Sequence, residues 1–235
     1  DRLKLVGIWT SNLIGLVTFV FVFADKVSLN LRRKIWHVAI FVTLFLTKGL
    51  TEQTQLTFVA LTGFLFLMIV AEIFRYLKFT IVGEILHSQL RLFQDQKDLN
   101  GPLNLSYIYL LVGVSIPIFI NTIILGQLVS EYSYLGLIFL GIGDSFASIV
   151  GKKYGNIKWR GSDKTVEGSL AFFFSTLLSF YFINVFLVIR IVNWEATFVT
   201  CLLGTFIEGT SDMNDNLLIP VIGFVSLSAL NKTPI

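Results

Sequence analysis

The sequence predicts an all-α, polytopic integral membrane protein, with about seven to eight transmembrane helices and one amphipathic helix at the interface. Three observations carry that expectation. The 235 residues are 54% hydrophobic and only 14% charged, where soluble domains are closer to a quarter charged. Their mean hydropathy is +0.78. Long uncharged runs rich in Phe, 23 in all, recur along the chain. Lipid, rather than one large soluble core, is the solvent such runs require. The one cysteine, Cys201, lies in an apolar segment, so neither a disulfide framework nor a cysteine metal site is expected.

Taken in order, residues 5–24 make about one span, closed by Asp25 and Lys26. Residues 36–46 follow Leu31-Arg32-Arg33-Lys34 and end near Lys48-Gly49. They are short against the ~20 residues of a full span, so tilt or burial in protein is expected. Residues 55–76 form a third span, with Glu72 near its end and Arg75 and Lys78 beyond. Between 79 and 99, Ile81, Ile85, Leu86, Leu90 and Phe93 alternate at helical spacing with Glu84, His87, Gln89, Arg91 and Gln94. That pattern suits an interfacial helix, or else a helix in a soluble loop. Asn100-Gly101-Pro102 breaks it. Residues 107–125 are a fourth span, with a kink expected at Pro117. Residues 134–150 are a fifth and carry Asp144; 165–191 are a sixth, 194–206 a shorter seventh, and 217–230 begin an eighth. The chain begins at Asp1 rather than Met and shows no signal-peptide pattern, so a longer parent protein is expected.

Charge separates the two sides. If the spans alternate, all basic residues but Arg2, Lys4, Lys48, Arg190 and Lys232 fall on one side. The positive-inside rule makes that side cytoplasmic. Four polar stretches then share it: Arg32 to His37, the amphipathic helix, the glycine-rich basic loop after Asp144, and the acidic run Glu208-Gly209-Thr210-Ser211-Asp212-Met213-Asn214-Asp215-Asn216.

The residues that could carry chemistry sit in those stretches. Asp144 is a carboxylate inside a span, a costly placement usually kept for a metal or a cation; it is otherwise a helix-end carboxylate reaching water or a nearby lysine. Lys152, Lys153, Lys158, Arg160 and Lys164 could neutralise a triphosphate, with Gly151, Gly155 and Gly161 bringing backbone N–H groups close. Thr165 is an expected N-cap, and a helix N-terminus attracts phosphate. The same charges would also anchor a loop to anionic lipid. No GxxxxGK[ST] loop is present. Asp212, Asp215, Asn216 and Glu208 could hold a divalent cation through oxygen, or form a solvated acidic turn. Lys34 and His37 share a helical face and could touch phosphate or move a proton; with Trp36 they could equally be interfacial anchors. His87 reads as solvated.

In this order the motifs are similar to those of the dolichol kinases, within the CTP-dependent polyprenol, phytol and diacylglycerol kinases. Arg33-Lys34-Ile35-Trp36-His37 resembles an RK-x-x-H entry motif, and Gly143-Asp144-Ser145-Phe146-Ala147-Ser148-Ile149-Val150-Gly151 a GD-x-x-AS-x-x-G segment. Lys164-Thr165-Val166-Glu167-Gly168 resembles KT-x-EG, and Asp215-Asn216-Leu217-Leu218-Ile219-Pro220 a terminal DNLL-x-P. Glu72-Ile73-Phe74-Arg75-Tyr76 and Gly101-Pro102-Leu103, before Ser106-Tyr107-Ile108-Tyr109-Leu110-Leu111, narrow the resemblance to dolichol kinase. It covers residues 30 to about 225.

The resemblance implies transfer of the γ-phosphate of CTP to dolichol, at the cytoplasmic face of the endoplasmic reticulum membrane, in support of glycosylation. It implies one membrane-embedded kinase domain over 1–235, with a leading span in 1–30 and a catalytic core in 31–230. Lys34, Gly151, Lys152, Lys153, Lys158, Arg160, Gly161, Thr165 and Gly168 are the expected nucleotide contacts. Asp144, Glu167, Lys164 and His37 are the expected catalytic residues. Asp144, Asp215 and Asn216 are the expected ligands of a divalent cation, Mg or Ca. Asp144 is favoured as the group that takes the alcohol proton, because its depth matches a hydroxyl arriving from the bilayer. The expected partners are dolichol, CTP and the lipid bilayer; no nucleic-acid partner is expected. The alternatives are a diacylglycerol or phytol kinase, a CTP:phosphatidate cytidylyltransferase (whose PGHGG-type signature is absent) and a multispan transporter or scaffold.

Overall fold

The computed structural model describes residues 2–23, 26–90, 102–126, 129–211 and 214–231. Ten helices run along them. They are α1 (Arg2–Val22), α2 (Leu29–Leu46), α3 (Gly49–Glu52), α4 (Thr54–Leu77), α5 (Thr80–Leu90), α6 (Ser106–Ile124), α7 (Glu131–Tyr154), α8 (Val166–Phe186), α9 (Trp194–Thr210) and α10 (Asp215–Leu230). Among the described residues there is no strand, only one antiparallel bridge between Lys158 and Thr165. The all-α, polytopic expectation is met. Five helices, α1, α4, α6, α7 and α8, are long and apolar enough to cross a bilayer. Helices α2, α9 and α10 pack beside them.

The bundle is built around α7. Tyr134, Leu135, Leu137, Ile138, Phe139 and Leu140 are fully buried in succession. A helix apolar on every face is one surrounded by other helices. Close approach is set by glycines in α7, because helices in lipid gain from van der Waals packing rather than from escape from water. A Cβ on Gly141 would lie 2.9 Å from Phe41 Cβ on α2. One on Gly143 would lie 2.6 Å from Thr176 Cγ2 on α8. Each crossing therefore needs the glycine it has.

Several ends differ from the expected ones. Helix α2 begins at Leu29, after the Ser28 cap whose side chain accepts from Leu31 N–H. Arg32, Arg33 and Lys34 thus belong to its first turns rather than to a connection. Helix α7 runs on to Tyr154, so Lys152 and Lys153 are helical and the basic loop proper begins after them. Helix α8 stops at Phe186 rather than running to 191. Asp215 and Asn216 form the first turn of α10 instead of a loop.

Two π-helical stretches interrupt the spans. One, Phe119–Ile124, follows Pro117, whose missing N–H breaks the regular ladder. The other, Leu137–Gly143, ends directly before Asp144. Such a wide turn re-aims the residue after it and frees carbonyls for other donors.

Helix α5 folds back on α4 so closely that a Cβ on Gly83 would stand 2.5 Å from Phe74 O. Its Ile81, Val82 and Ile85 are exposed, beside Glu84 and Ser88, as an interfacial helix requires. Phe93, Gln94, Arg91 and Lys97 of the expected amphipathic segment, with Asn100 and Gly101, lie outside the described residues.

Candidate functional site

One end of the bundle gathers the polar residues of α2, α7, α8, α9 and α10. Helices α2 and α7 are stitched by two contacts a helical turn apart. Asn30 and Ser148 exchange hydrogen bonds of 2.9 and 3.1 Å. One turn on, the Lys34 ammonium pairs with Asp144 Oδ2, both side chains being largely buried. His37 closes the group. Its Nδ1 lies 3.1 Å from Asp144 Oδ2 and 3.1 Å from Leu140 O, the carbonyl loosened by the π-helical turn. Both neighbours of Nδ1 are acceptors, so Nδ1 carries the proton and Nε2 keeps its lone pair. Lys152, two turns past Asp144, stands within electrostatic reach of Lys34 and Arg33. Positive charge beyond that needed by the one buried carboxylate therefore gathers near Lys34, an excess that suits an anion.

A second cluster lies across α8. Lys164 Nζ donates to Asp215 Oδ2 at 2.5 Å and to the Glu208 carbonyl oxygen. The Glu208 side chain accepts from Ser169 Oγ at 3.0 Å, and Ser169 accepts from Trp159 Nε1 at 2.9 Å. Asn216 donates from Nδ2 to Ser106 O at 3.2 Å, joining α10 to α6.

The segment between them is a small hairpin. Trp159 N–H donates to Lys164 O at 3.0 Å, and Val166 N–H donates to Ile157 O at 2.8 Å. Gly161 turns it with a φ of +78°, a region open to glycine at little cost. Thr165 caps α8 as expected, its Oγ1 accepting from Gly168 N–H. Glu167 bends back to accept from the Asn156 and Ile157 amides at 3.0 and 3.2 Å. Lys158 pairs with Asp163 at 2.9 Å in solvent, and that ammonium holds the Asp163 carboxyl below its ordinary range. Lys153 lies over the Tyr154 ring.

The structure therefore divides the sequence-derived residues. Lys34, His37, Asp144 and Lys152 meet in one cluster, and Lys164 and Asp215 in the other. Glu167, Thr165 and Gly161 shape the hairpin. Gly151 and Gly168 face each other, a Cβ on Gly168 lying 3.2 Å from Gly151 Cα, so these two glycines let α7 and α8 touch. Lys158 and Arg160 ride on the exposed hairpin. Asp212 lies outside the described residues, and among those described no group of three or more His, Cys, Asp or Glu side chains is placed to hold a metal ion.

Trp159 and Ser169 were not singled out by sequence. A lone indole in a run of charged and small residues was the available signal. Its ring packs edge-on against Phe206 of α9, so the basic hairpin is docked on the bundle. The charged pair at the end of α4 has a related use. Glu72 accepts from Arg75 at 2.8 and 2.6 Å, from Asn104 N–H at 2.5 Å, and from the Tyr107 hydroxyl. Arg75 also donates to Pro102 O at 2.9 Å. The two stretches that narrowed the resemblance, one around Glu72 and one around Pro102, are thus partners in space.

Fold and site together define a polytopic α-helical membrane protein with a charge-paired polar centre at one end of its bundle. Within that class the chain is homologous, over most of its length, to the dolichol kinases. It is 37% identical over 222 residues to the dolichol kinase of Saccharomyces cerevisiae, covering 93% of this chain and 40% of that protein. It is 36% identical over 203 residues to dolichol kinase sec59 of Schizosaccharomyces pombe, covering 86% and 40%. Against the Homo sapiens dolichol kinase the identity is 32% over 208 residues, covering 85% and 38%. The chain spans about two fifths of the length of the curated relatives it matches. No family profile and no solved structure matches it.

Proposed function

We propose that this chain forms the membrane-embedded kinase domain of a dolichol kinase, transferring the γ-phosphate of CTP to the hydroxyl of dolichol at the cytoplasmic face of the endoplasmic reticulum. The observation that carries the reading is the buried Lys34–Asp144–His37 group, near Lys152. Phosphoryl transfer depends on positioning and charge neutralisation more than on covalent chemistry. Lys34, Lys152 and Lys164 supply the positive charge for the phosphates. Lys153, Lys158 and Arg160 widen the basic field at the hairpin and steer the nucleotide in.

In this reading His37, rather than Asp144, takes the alcohol proton. Asp144 Oδ2 already accepts from Lys34 and from His37 Nδ1. It holds the ring so that Nε2 is the available base, and it stabilises the imidazolium formed when the lipid hydroxyl gives up its proton. Glu167 acts by holding the hairpin amides, and so by positioning Lys164.

A divalent cation arriving with a nucleotide would need few protein ligands. Magnesium bound to phosphates asks for only one or two protein carboxylates. Asp144 and Asp215 would hold it, each now paired with a lysine, with Asn216 Oδ1 beside Asp215. Such a cation would screen the repulsion between phosphate oxygens and the incoming alcohol.

The test uses CTP labelled at its α or γ phosphorus, with the full-length protein in membranes and dolichol, diacylglycerol, phytol and phosphatidate in turn. Label from the γ position entering dolichol supports the reading. Entry of α label identifies a cytidylyltransferase, and preference for either other alcohol moves the substrate.

A further inference from the structure

We propose that the apolar groove between α2, α7 and α8 seats the isoprenoid chain of the lipid alcohol, with its hydroxyl end at His37 and Asp144. This rests on the kinase reading for the identity of the lipid, and adds where and in which direction that lipid lies.

The groove has a volume of about 770 Å³. It is large enough for a small-molecule site, and its wall is nearly all hydrocarbon. Helix α8 makes it by a repeat of four. Ala171, Ser175 and Ser179 line up as a trough of small side chains, flanked by a ridge of Phe174, Leu178 and Phe182. The trough is not polar in effect. Ser175 Oγ donates to Phe172 O at 3.1 Å, and Ser179 Oγ to Ser175 O at 2.7 Å. No hydroxyl in the wall asks for a partner, which suits a chain without heteroatoms.

The ridge residues are well exposed. At this depth exposure means contact with acyl chains, so the groove opens sideways into the bilayer.

Continuity with the polar centre selects the occupant. Ile142 and Phe146 of α7 both line the groove, one turn apart on the same face of that helix. Phe41 lines its inner side, one helical turn beyond His37 on α2. The groove therefore comes within one helical turn of His37, which touches Asp144. It runs from there toward the opposite ends of α2 and α8, at Leu46 and Phe186. Fifteen residues separate Ala171 from Phe186, a rise of about 22 Å along α8, most of a ~30 Å hydrocarbon layer. A chain seated here crosses the leaflets with only its first isoprene units in contact. The remainder lies free in lipid, so chain length beyond the groove goes unread.

The experiment labels the full-length protein in native membranes with a diazirine-bearing geranylgeraniol analogue, and maps the modified residues by mass spectrometry. Label is expected on Phe146, Phe174 and Leu178, competed by unlabelled polyprenol but not by phosphatidylcholine. Ala171→Trp and, independently, Ser175→Trp fill the trough. Each should abolish the label and raise KM for polyprenol about ten-fold, with KM for CTP unchanged. Val185→Trp, exposed on α8 outside the groove, should change neither. Equal competition by phosphatidylcholine would make the groove ordinary lipid-facing surface. Disulfide capture between Phe174→Cys and another membrane segment, with no label, would mean that a helix covers it. Unaltered label and KM in both Trp variants would also overturn the assignment. Labelling does not require phosphate transfer. A labelled groove in a protein that transfers no phosphate to dolichol sinks the kinase reading alone, and an unlabelled one in an active kinase sinks the groove alone.

Discussion

Replacing Glu72 with Gln should loosen the contact that holds α4, α5 and the start of α6 together. Glu72 is 2% exposed and Arg75 5%. Oε1 accepts from Arg75 and from the Asn104 amide, and Oε2 from Arg75 and from the Tyr107 hydroxyl. A glutamine offers one oxygen and one NH2, so whichever way the amide turns, its NH2 faces two donors. The guanidinium also loses its counter-charge while still buried. Removing one member of a buried pair costs about 3–5 kcal/mol, a shift of roughly 10²- to 10⁴-fold in the folding equilibrium. Denaturant titration in detergent, followed by circular dichroism, measures it. The double substitution Glu72→Met with Arg75→Met should recover only the charge part of the loss, because the Asn104 amide, the Tyr107 hydroxyl and Pro102 O still lose these partners. If Glu72→Gln unfolds within about 0.5 kcal/mol of the parent, the pair is not the clasp described here.

Asp144→Asn should lower kcat about 10²- to 10⁴-fold, because His37 loses the acceptor that orients it. Near-normal CTP-dependent activity in membranes would reject that role. Lys164→Met removes the partner of Asp215 and of the Glu208 carbonyl, so KM for CTP should rise in initial-rate measurements; unchanged KM and turnover would take Lys164 out of the site. Gly143→Leu puts a side chain where Phe172 and Thr176 already lie, and should cost about 1–3 kcal/mol by overpacking, read as a lower Tm. Asp163→Asn breaks only an exposed pair, so neither Tm nor turnover should move.

The membrane class, most span positions and the Thr165 cap were legible because each depends on local pattern: runs of apolar residues, or a threonine at the start of an apolar helix. The ends of α2 and α7 were not. Charged residues read as the close of a span, yet Lys34 and Lys152 are helical, since a backbone ladder continues through any residue whose side chain finds a partner. Asp144 was legible as costly, because a carboxylate inside a span must be answered by something. What answers it was not, since Lys34 lies 110 positions away in sequence.

Tertiary packing decided the rest. It gave Gly151 and Gly168 to a helix crossing, gave Glu167 to the hairpin amides, and brought Trp159 to Ser169 and Glu208. It also set the small residues of α8 beside α2 and α7, leaving a trough that one helix alone could not enclose. Composition and periodicity assign each segment its solvent, because burial in lipid acts on every side chain separately. Pairings between helices depend on where distant glycines permit contact, and that distance-bound geometry exists only once the bundle has formed.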